Sequence, residues 1–203
     1  MKIAVLGGSF NPIHNGHIEL ANAVSEHLQC HKLLLIPTKT PPHKSADEYV
    51  ADEHRMNMCY LAAEKIRNCE VSDIEISQDR VSYTYLTLNT LKEQYKDAEI
   101  YLICGSDMFL TLQSWKNPDI IFKQSVICAV PRAGEDMSVM TQQKSVLEQL
   151  GAKVTVLPVD IKPYSSTQIR ERLAENLSVD DMLLPEIQQY IKQNRLYGDV
   201  KNV

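Results

Sequence analysis

Apolar residues fall into two rhythms along the chain. Runs rich in Ile, Val and Leu at Lys2 to Leu6, Lys32 to Ile36, Ile100 to Cys104, Val126 to Val130 and Val154 to Leu157 are too short for helices. They are continuous rather than alternating, the pattern of parallel strands buried on both faces. Between them, apolar positions recur at spacings of three and four, as in Ala21, Val24 and Leu28 or Leu88, Leu91 and Tyr95, which predicts helices with one buried side. Met58, Leu61 and Ala62 mark a further core-facing helix, on which Arg55 carries little functional signal, and Leu184-Pro185 opens a last one that ends near Asn194. Strand and helix in alternation predict an α/β fold: a central parallel sheet with helices on both faces. The longest irregular stretch, Pro37 to Asp52, is long for a compact domain, and such loops are more often functional than accidental.

With 203 residues and 44% hydrophobic content, the chain can bury a full core as one domain spanning residues 1–203. The first strand begins at the N-terminus without a signal peptide, and no apolar run approaches the roughly 18 to 20 residues that span a bilayer. A soluble, cytoplasmic protein with no membrane partner is expected. Five cysteines, Cys30, Cys59, Cys69, Cys104 and Cys128, sit in or beside apolar segments with no Cys-x-x-Cys, so they read as reduced core residues rather than a disulfide framework or zinc site. A net charge of -5 argues against nucleic acid as partner, so an anionic ligand must be held by a local basic cluster. The oligomeric state is left open, a homo-oligomer included.

Chemistry concentrates where the first strand ends, in Leu6-Gly7-Gly8-Ser9-Phe10-Asn11-Pro12-Ile13-His14-Asn15-Gly16-His17. Gly7 and Gly8 allow a sharp bend and close approach of main-chain amides to a phosphate. The helix that follows aims its N-terminus back at this turn. Free amides and the positive dipole end therefore gather where His14 and His17 share one side of the first helical turn. The result is an anion site with two imidazole donors. A dinucleotide fingerprint would need glycines at Ser9 and Pro12, and no Gly-Lys-Ser/Thr triplet exists for a P-loop.

Other segments are ambiguous on their residues alone. Pro41-Pro42-His43-Lys44 puts two potential cations after a stiffened backbone, and a plain surface turn would look the same. Ser82-Tyr83-Thr84 precedes a helix and reads as a cap or as a carboxylate site made of free amides. Gly105-Ser106-Asp107 lies at the carboxyl edge of the sheet, where open α/β folds bind ligands; Asp107 can accept from a ribose, cap a helix, or do both. Trp115, the chain's one tryptophan, fits a core as well as a site. Arg132 follows the next strand at the same edge. Ser165, Ser166, Thr167 and Arg170 open a helix, as ordinary caps or as an anion-binding terminus.

Taken together, Gly-Gly-Ser-Phe-Asn-Pro-Ile-His-x-Gly-His and Ser-Ser-Thr-x-Ile-Arg resemble the two signatures of the nucleotidyltransferase superfamily. Pro-Pro-His-Lys, Ser-Tyr-Thr-x-x-Thr-Leu, Gly-x-Asp and Ser-Trp resemble elements of one branch, the nicotinate mononucleotide adenylyltransferases. The likeness runs the length of the chain and implies a single-domain Rossmann-like nucleotidyltransferase fold, with helices from about residue 166 completing the ATP site. It implies transfer of the adenylyl group of ATP to nicotinate mononucleotide, giving deamido-NAD and pyrophosphate. His14, His17, Lys44 and Arg170 would be the catalytic residues, His17 closest to the α-phosphate. ATP would further meet Gly7, Gly8, Ser9, Phe10, Gly105, Asp107 and Arg132, with Ser165, Ser166 and Thr167 on its phosphates. The mononucleotide would meet Asn11, His43, Lys44 and Asp107, its carboxylate lying at Tyr83 and Thr84 and its ring on Trp115. Mg²⁺ would arrive with ATP, without a dedicated protein metal site. Pro163-Tyr164 stands where the family usually has Asp-Ile, a departure expected to touch only local backbone packing. Rival readings are another adenylyltransferase, with nicotinamide mononucleotide or phosphopantetheine as acceptor, a class I tRNA synthetase fragment, or a noncatalytic nucleotide sensor. Small size and acidic charge disfavour the synthetase.

Overall fold

The computed structural model describes residues 1–39, 49–78, 80–131, 134, 136–159 and 161–198. Strands β1 (Lys2–Gly8), β2 (Lys32–Pro37), β3 (Cys69–Val71), β4 (Glu99–Gly105), β5 (Ser125–Val130) and β6 (Lys153–Val156) form one parallel sheet in the order β3-β2-β1-β4-β5-β6. The crossovers carry α1 (Asn15–Leu28), α2 (Asp52–Ala63), α3 (Thr84–Gln94), α4 (Ser106–Thr111), α5 (Pro118–Gln124) and α6 (Met137–Gln149), and α7 (Ser166–Ala174) and α8 (Pro185–Gln193) close the chain.

Strict alternation along the strands explains their continuous apolar runs. On β1, Ala4 and Leu6 pack with α1, α2, α7 and α8, while Ile3 and Val5 face α3 to α6. Leu33 and Leu35 of β2 join the first face, Leu34 and Ile36 the second. A strand apolar on both sides needs cover on both sides, and each fully buried Leu, Ile or Val contributes roughly 1.5–3 kcal/mol. Truncating Leu35, at 0% exposure, to Ala should cost about 2–5 kcal/mol.

Element ends follow local chemistry. Asp136 caps α6 by accepting from the Ser138 amide at 2.8 Å, Pro118 occupies the first turn of α5, and Gln29 closes α1 in the left-handed region at φ 50°. Four of the expected strands extend by one or two residues, β1 running on through both glycines, and the fifth shifts by one, to Lys153–Val156. β3 was not legible: it has three residues, none buried, and so carries no apolar run. Four of the cysteines are buried and all are unpaired; burial pushes the Cys69 and Cys128 thiols up to about 12, which keeps them protonated. No described helix is long and apolar enough to cross a membrane.

The strand order reverses between β1 and β4, which carry their chains away in opposite directions along the sheet. That leaves a crevice above their carboxyl ends, the place where open α/β sheets take ligands.

Candidate active site

The crevice is a cleft of about 360 Å³, within the range of small-ligand sites. Gly7, Gly8 and Ser9 from β1 and its turn, His14, Gly16 and His17 from α1, Gly105, Asp107 and Met108 at the β4–α4 junction, and Ser165, Ser166 and Thr167 at the α7 start line it. Two helix N-termini, those of α1 and α7, thus converge on one space, each bringing a positive dipole end, while the Asn15 amide donates to the Met182 carbonyl at 2.9 Å and the Gln168 amide to Ser165 Oγ at 3.1 Å.

Packing dictates the shape of the turn. Phe10 has φ 44°, unfavourable for a non-glycine residue, and its ring is 1% exposed. The ring tucks beneath Gly8, where a Cβ would lie 2.9 Å from it, so a side chain at position 8 would displace the ring. The turn's carbonyls are tied from below: Ser9 O accepts from Arg55 Nη1 at 2.7 Å, Asn11 O from Arg170 Nη1 at 2.8 Å, and Pro12 O from Ser166 Oγ at 2.8 Å. Asn11 Oδ1 accepts from Tyr197 Oη at 2.9 Å, and burial holds that phenol protonated, its pKa raised against the lowering effect of Arg170 and Arg55.

The histidines form a stacked pair, ring centroids 3.7 Å apart and tilted 27°. The His14 amide donates to His17 Nδ1 at 3.3 Å, so Nδ1 carries no proton and a neutral His17 holds it on Nε2, the nitrogen left to donate. Phe10 abuts the His17 ring edge-on at 5.1 Å, fixing its plane. Gly16 suits a tight contact: a Cβ there would lie 3.2 Å from the His14 ring and 3.3 Å from the Lys162 carbonyl, so a side chain would push on both by a few tenths of an ångström.

The second signature serves the architecture as well as the cleft. Ser165 caps α7 by accepting from the Gln168 amide at 3.1 Å, and Arg170 Nη2 lies 3.4 Å from Thr167 Oγ1. Phe10 and Asn11 are buried beneath the turn, so a ligand in the cleft would meet their backbone, and Arg170 is not among the residues lining the cleft. Lys162 and Tyr164 do line it, with Lys162 Nζ 5.9 Å from the centre of the Tyr164 ring. The departure expected to touch only backbone packing therefore shapes the cleft wall, and its position directly before the second signature was the available signal.

Tyr83, Thr84 and Trp115 lie outside this lining. Tyr83 is the N-cap of α3, which carries no acidic residue in its first turn, and the helix starts at the sheet's carboxyl side. Its approach is braced by Glu75, whose Oε1 accepts from Thr87 Oγ1 at 2.6 Å. Burial raises the Glu75 pKa, opposed by hydrogen bonds from Thr87, Ser82 and Thr38. Trp115 follows a 3₁₀ turn at Leu112–Ser114, half-buried, with Nε1 donating to Thr111 Oγ1 at 3.4 Å. His43, Lys44 and Arg132 lie outside the described residues. No group of three His, Cys, Asp or Glu suited to a metal occurs among the described residues, and Asp107 is the one carboxylate among the described residues that line the cleft.

A family model described as cytidylyltransferase-like matches residues 5–172. A protein of Carboxydothermus hydrogenoformans named probable nicotinate-nucleotide adenylyltransferase is 36% identical over 197 residues, covering 97% of this chain and 98% of its own. One of the same name from Borreliella burgdorferi is 34% identical and covered in full. In structure, nicotinic acid mononucleotide adenylyltransferase of Plasmodium falciparum complexed with NaAD superposes with a TM-score of 0.78 at 23% identity, over 97% of each chain, and so shares the fold. Both superfamily signatures meet in the cleft of a sheet with that topology, and the chain belongs to the cytidylyltransferase-like family, alongside full-length relatives named probable nicotinate-nucleotide adenylyltransferase.

Proposed function

We propose that this protein transfers the adenylyl group of ATP to nicotinate mononucleotide, forming deamido-NAD and releasing pyrophosphate. The observation that carries the reading is the convergence on one cleft of the glycine turn, the stacked His14–His17 pair and the hydroxyl-bearing α7 N-terminus. The names of the full-length relatives supply the acceptor.

A 5'-phosphate oxygen of the mononucleotide attacks the α-phosphorus of ATP. The new P–O bond forms as the bond to the departing pyrophosphate breaks, and the electron pair leaves with the pyrophosphate oxygen. The attacking oxygen is already ionised at neutral pH, so no general base is needed and the protein's task is alignment and charge neutralisation. His17 Nε2–H donates toward the α-phosphate, where charge moves in the transition state, and its orientation is set by the bond at Nδ1. His14, 5% exposed, braces that ring. The positive ends of α1 and α7, with the Ser165, Ser166 and Thr167 segment and Lys162, hold the β- and γ-phosphates. Met108, Val130 and Tyr164 offer the base a largely apolar wall, and Asp107 is placed to accept from a ribose hydroxyl. His43, Lys44 and Arg132 would add cations around the two phosphates. Mg²⁺ supplies further charge neutralisation when bound; with one carboxylate in the described lining, the donor set suits an ion carried in on phosphate oxygens rather than one held by the chain. Such a product belongs to pyridine-nucleotide synthesis, and the reading takes the cytoplasm as the compartment.

The test is pyrophosphate release from Mg-ATP with nicotinate mononucleotide, nicotinamide mononucleotide or phosphopantetheine as acceptor. Turnover should be fastest with nicotinate mononucleotide. Preference for phosphopantetheine would reassign the acceptor, and release with none of the three, despite ATP binding, would make the protein a sensor.

A further inference from the structure

The structure assigns to Arg55 the part of a positioning residue for ATP: a buried guanidinium that turns the phosphate-binding loop so that its amides, not its carbonyls, face the nucleotide. The inference rests on the proposed ATP site. Arg55 is 0% exposed, rare for an arginine unless its charge is answered. Nη2 pairs with Asp52 one helical turn earlier, Nη1 donates to Ser9 O at 2.7 Å, and the guanidinium lies 5.6 Å from the centre of the Tyr49 ring. Ser9 lines the cleft, whereas Arg55 lies beneath it. Carbonyl and N–H point in opposite directions across a planar trans peptide. With the Ser9 oxygen held down on Arg55, the N–H of Phe10 is directed to the cleft side. Flipping that peptide would aim a carbonyl dipole at bound phosphate and take from the buried Nη1 its acceptor, leaving the guanidinium with Asp52 alone. The left-handed φ of Phe10, 44°, is a conformation that a non-glycine residue keeps only when its surroundings hold it, and the Arg55 bond is one such restraint. The buried positive charge also lies under the anion, where low polarity screens it little.

Arg55 never touches the ligand, so the test must separate positioning from general stability. Titration of Mg-ATP into the protein without acceptor should show that Arg55→Met weakens binding by about tenfold or more, the size expected for a lost charge-assisted hydrogen bond. KM for nicotinate mononucleotide should stay within about threefold, because Tyr83, Thr84 and Trp115, proposed to hold its ring and carboxylate, lie outside the cleft lining. Arg55→Lys, whose ammonium can still donate to Ser9 O but cannot also hold Asp52, should fall between, about three- to tenfold weaker than wild type. Wild-type ATP affinity in folded Arg55→Met would overturn the inference, as would equal losses of ATP and acceptor binding in step with a lowered Tm. If Arg55→Met does not fold, wild-type affinity in Arg55→Lys would overturn it equally. A wild-type protein that fails to bind ATP would overturn the proposed function itself, and the inference with it.

Discussion

His17 holds two positions at once, and substitution can separate them. As the third residue of α1 it accepts the His14 amide through Nδ1 at 3.3 Å, the reciprocal half of a capping box. As a cleft residue it would, in the proposed reaction, offer Nε2–H to the phosphates. His17→Ala removes both. Loss of the cap bond should cost about 1 kcal/mol, which lowers Tm by roughly 2–4 °C for a chain of this length. Loss of a donor aimed at transition-state charge should lower kcat by about 10²–10³-fold. His17→Gln keeps the first role, since glutamine at this position of a capping box accepts the same amide, but cannot place a rigid, ring-braced donor on the α-phosphate. The assay is pyrophosphate release at saturating nicotinate mononucleotide and varied ATP, with Tm recorded for each variant. The two variants should lose kcat together while only His17→Ala loses Tm, and KM for ATP should move less than kcat. Near-normal turnover in His17→Gln would remove the imidazole from the mechanism, because the cap alone would then account for the residue.

Arg170→Ala frees the Asn11 carbonyl and should weaken ATP binding by about tenfold or more, the cost of a charge-assisted bond; unchanged affinity by ATP titration would strip the second signature of its phosphate role. Thr84 is the first residue of α3, where proline is tolerated and removes just one amide, so Thr84→Pro should erase a preference for nicotinate over nicotinamide mononucleotide worth about 1–3 kcal/mol per mismatched donor. Trp115→Ala should instead raise KM for both acceptors by similar factors, since stacking does not tell acid from amide, and equal kcat/KM for the two acceptors in the wild type would refute this account of the pocket. Burial raises the Glu75 pKa, so its stabilising contribution is complete below the usual carboxyl range and is lost as pH rises through the raised value. The Tm advantage of Glu75→Gln over wild type should therefore grow between about pH 4 and pH 7, whereas a constant offset would show that the carboxyl titrates normally.

Much of the fold was legible because the sheet is covered on both sides: a strand such as Leu33 to Ile36 must be apolar at every position, and such a run stands out in a sequence. Cys69 to Val71 escaped because half-buried edge residues face no such demand. The phosphate turn and both signatures were legible as motifs, since glycines, paired histidines and clustered hydroxyls are local. Their division of labour was not. Ser166 reaches Pro12 across 154 residues and Arg170 reaches Asn11 across 159, and neither spacing nor composition encodes which oxygen a guanidinium will find.

Those distant contacts also account for residue types that a phosphate site alone leaves unexplained. An anion needs amides, and every peptide that offers an amide also carries a carbonyl that repels the ligand unless it is turned away and satisfied. Arg55, Arg170 and Ser166 take the oxygens of Ser9, Asn11 and Pro12, and Tyr197 and the Val50 amide take the Asn11 side chain. The partners come from α2, α7 and the segments before α2 and after α8, so the turn can hold its shape only once these elements have docked. A change at Tyr197, far from the cleft in sequence and absent from its lining, should accordingly register as weakened ATP binding more than as lost helix. Tyr197→Phe, which keeps the ring and deletes the donor to Asn11, isolates that effect: ATP affinity should fall while far-ultraviolet dichroism stays unchanged, and unaltered affinity would mean the turn holds its shape without the C-terminal segment.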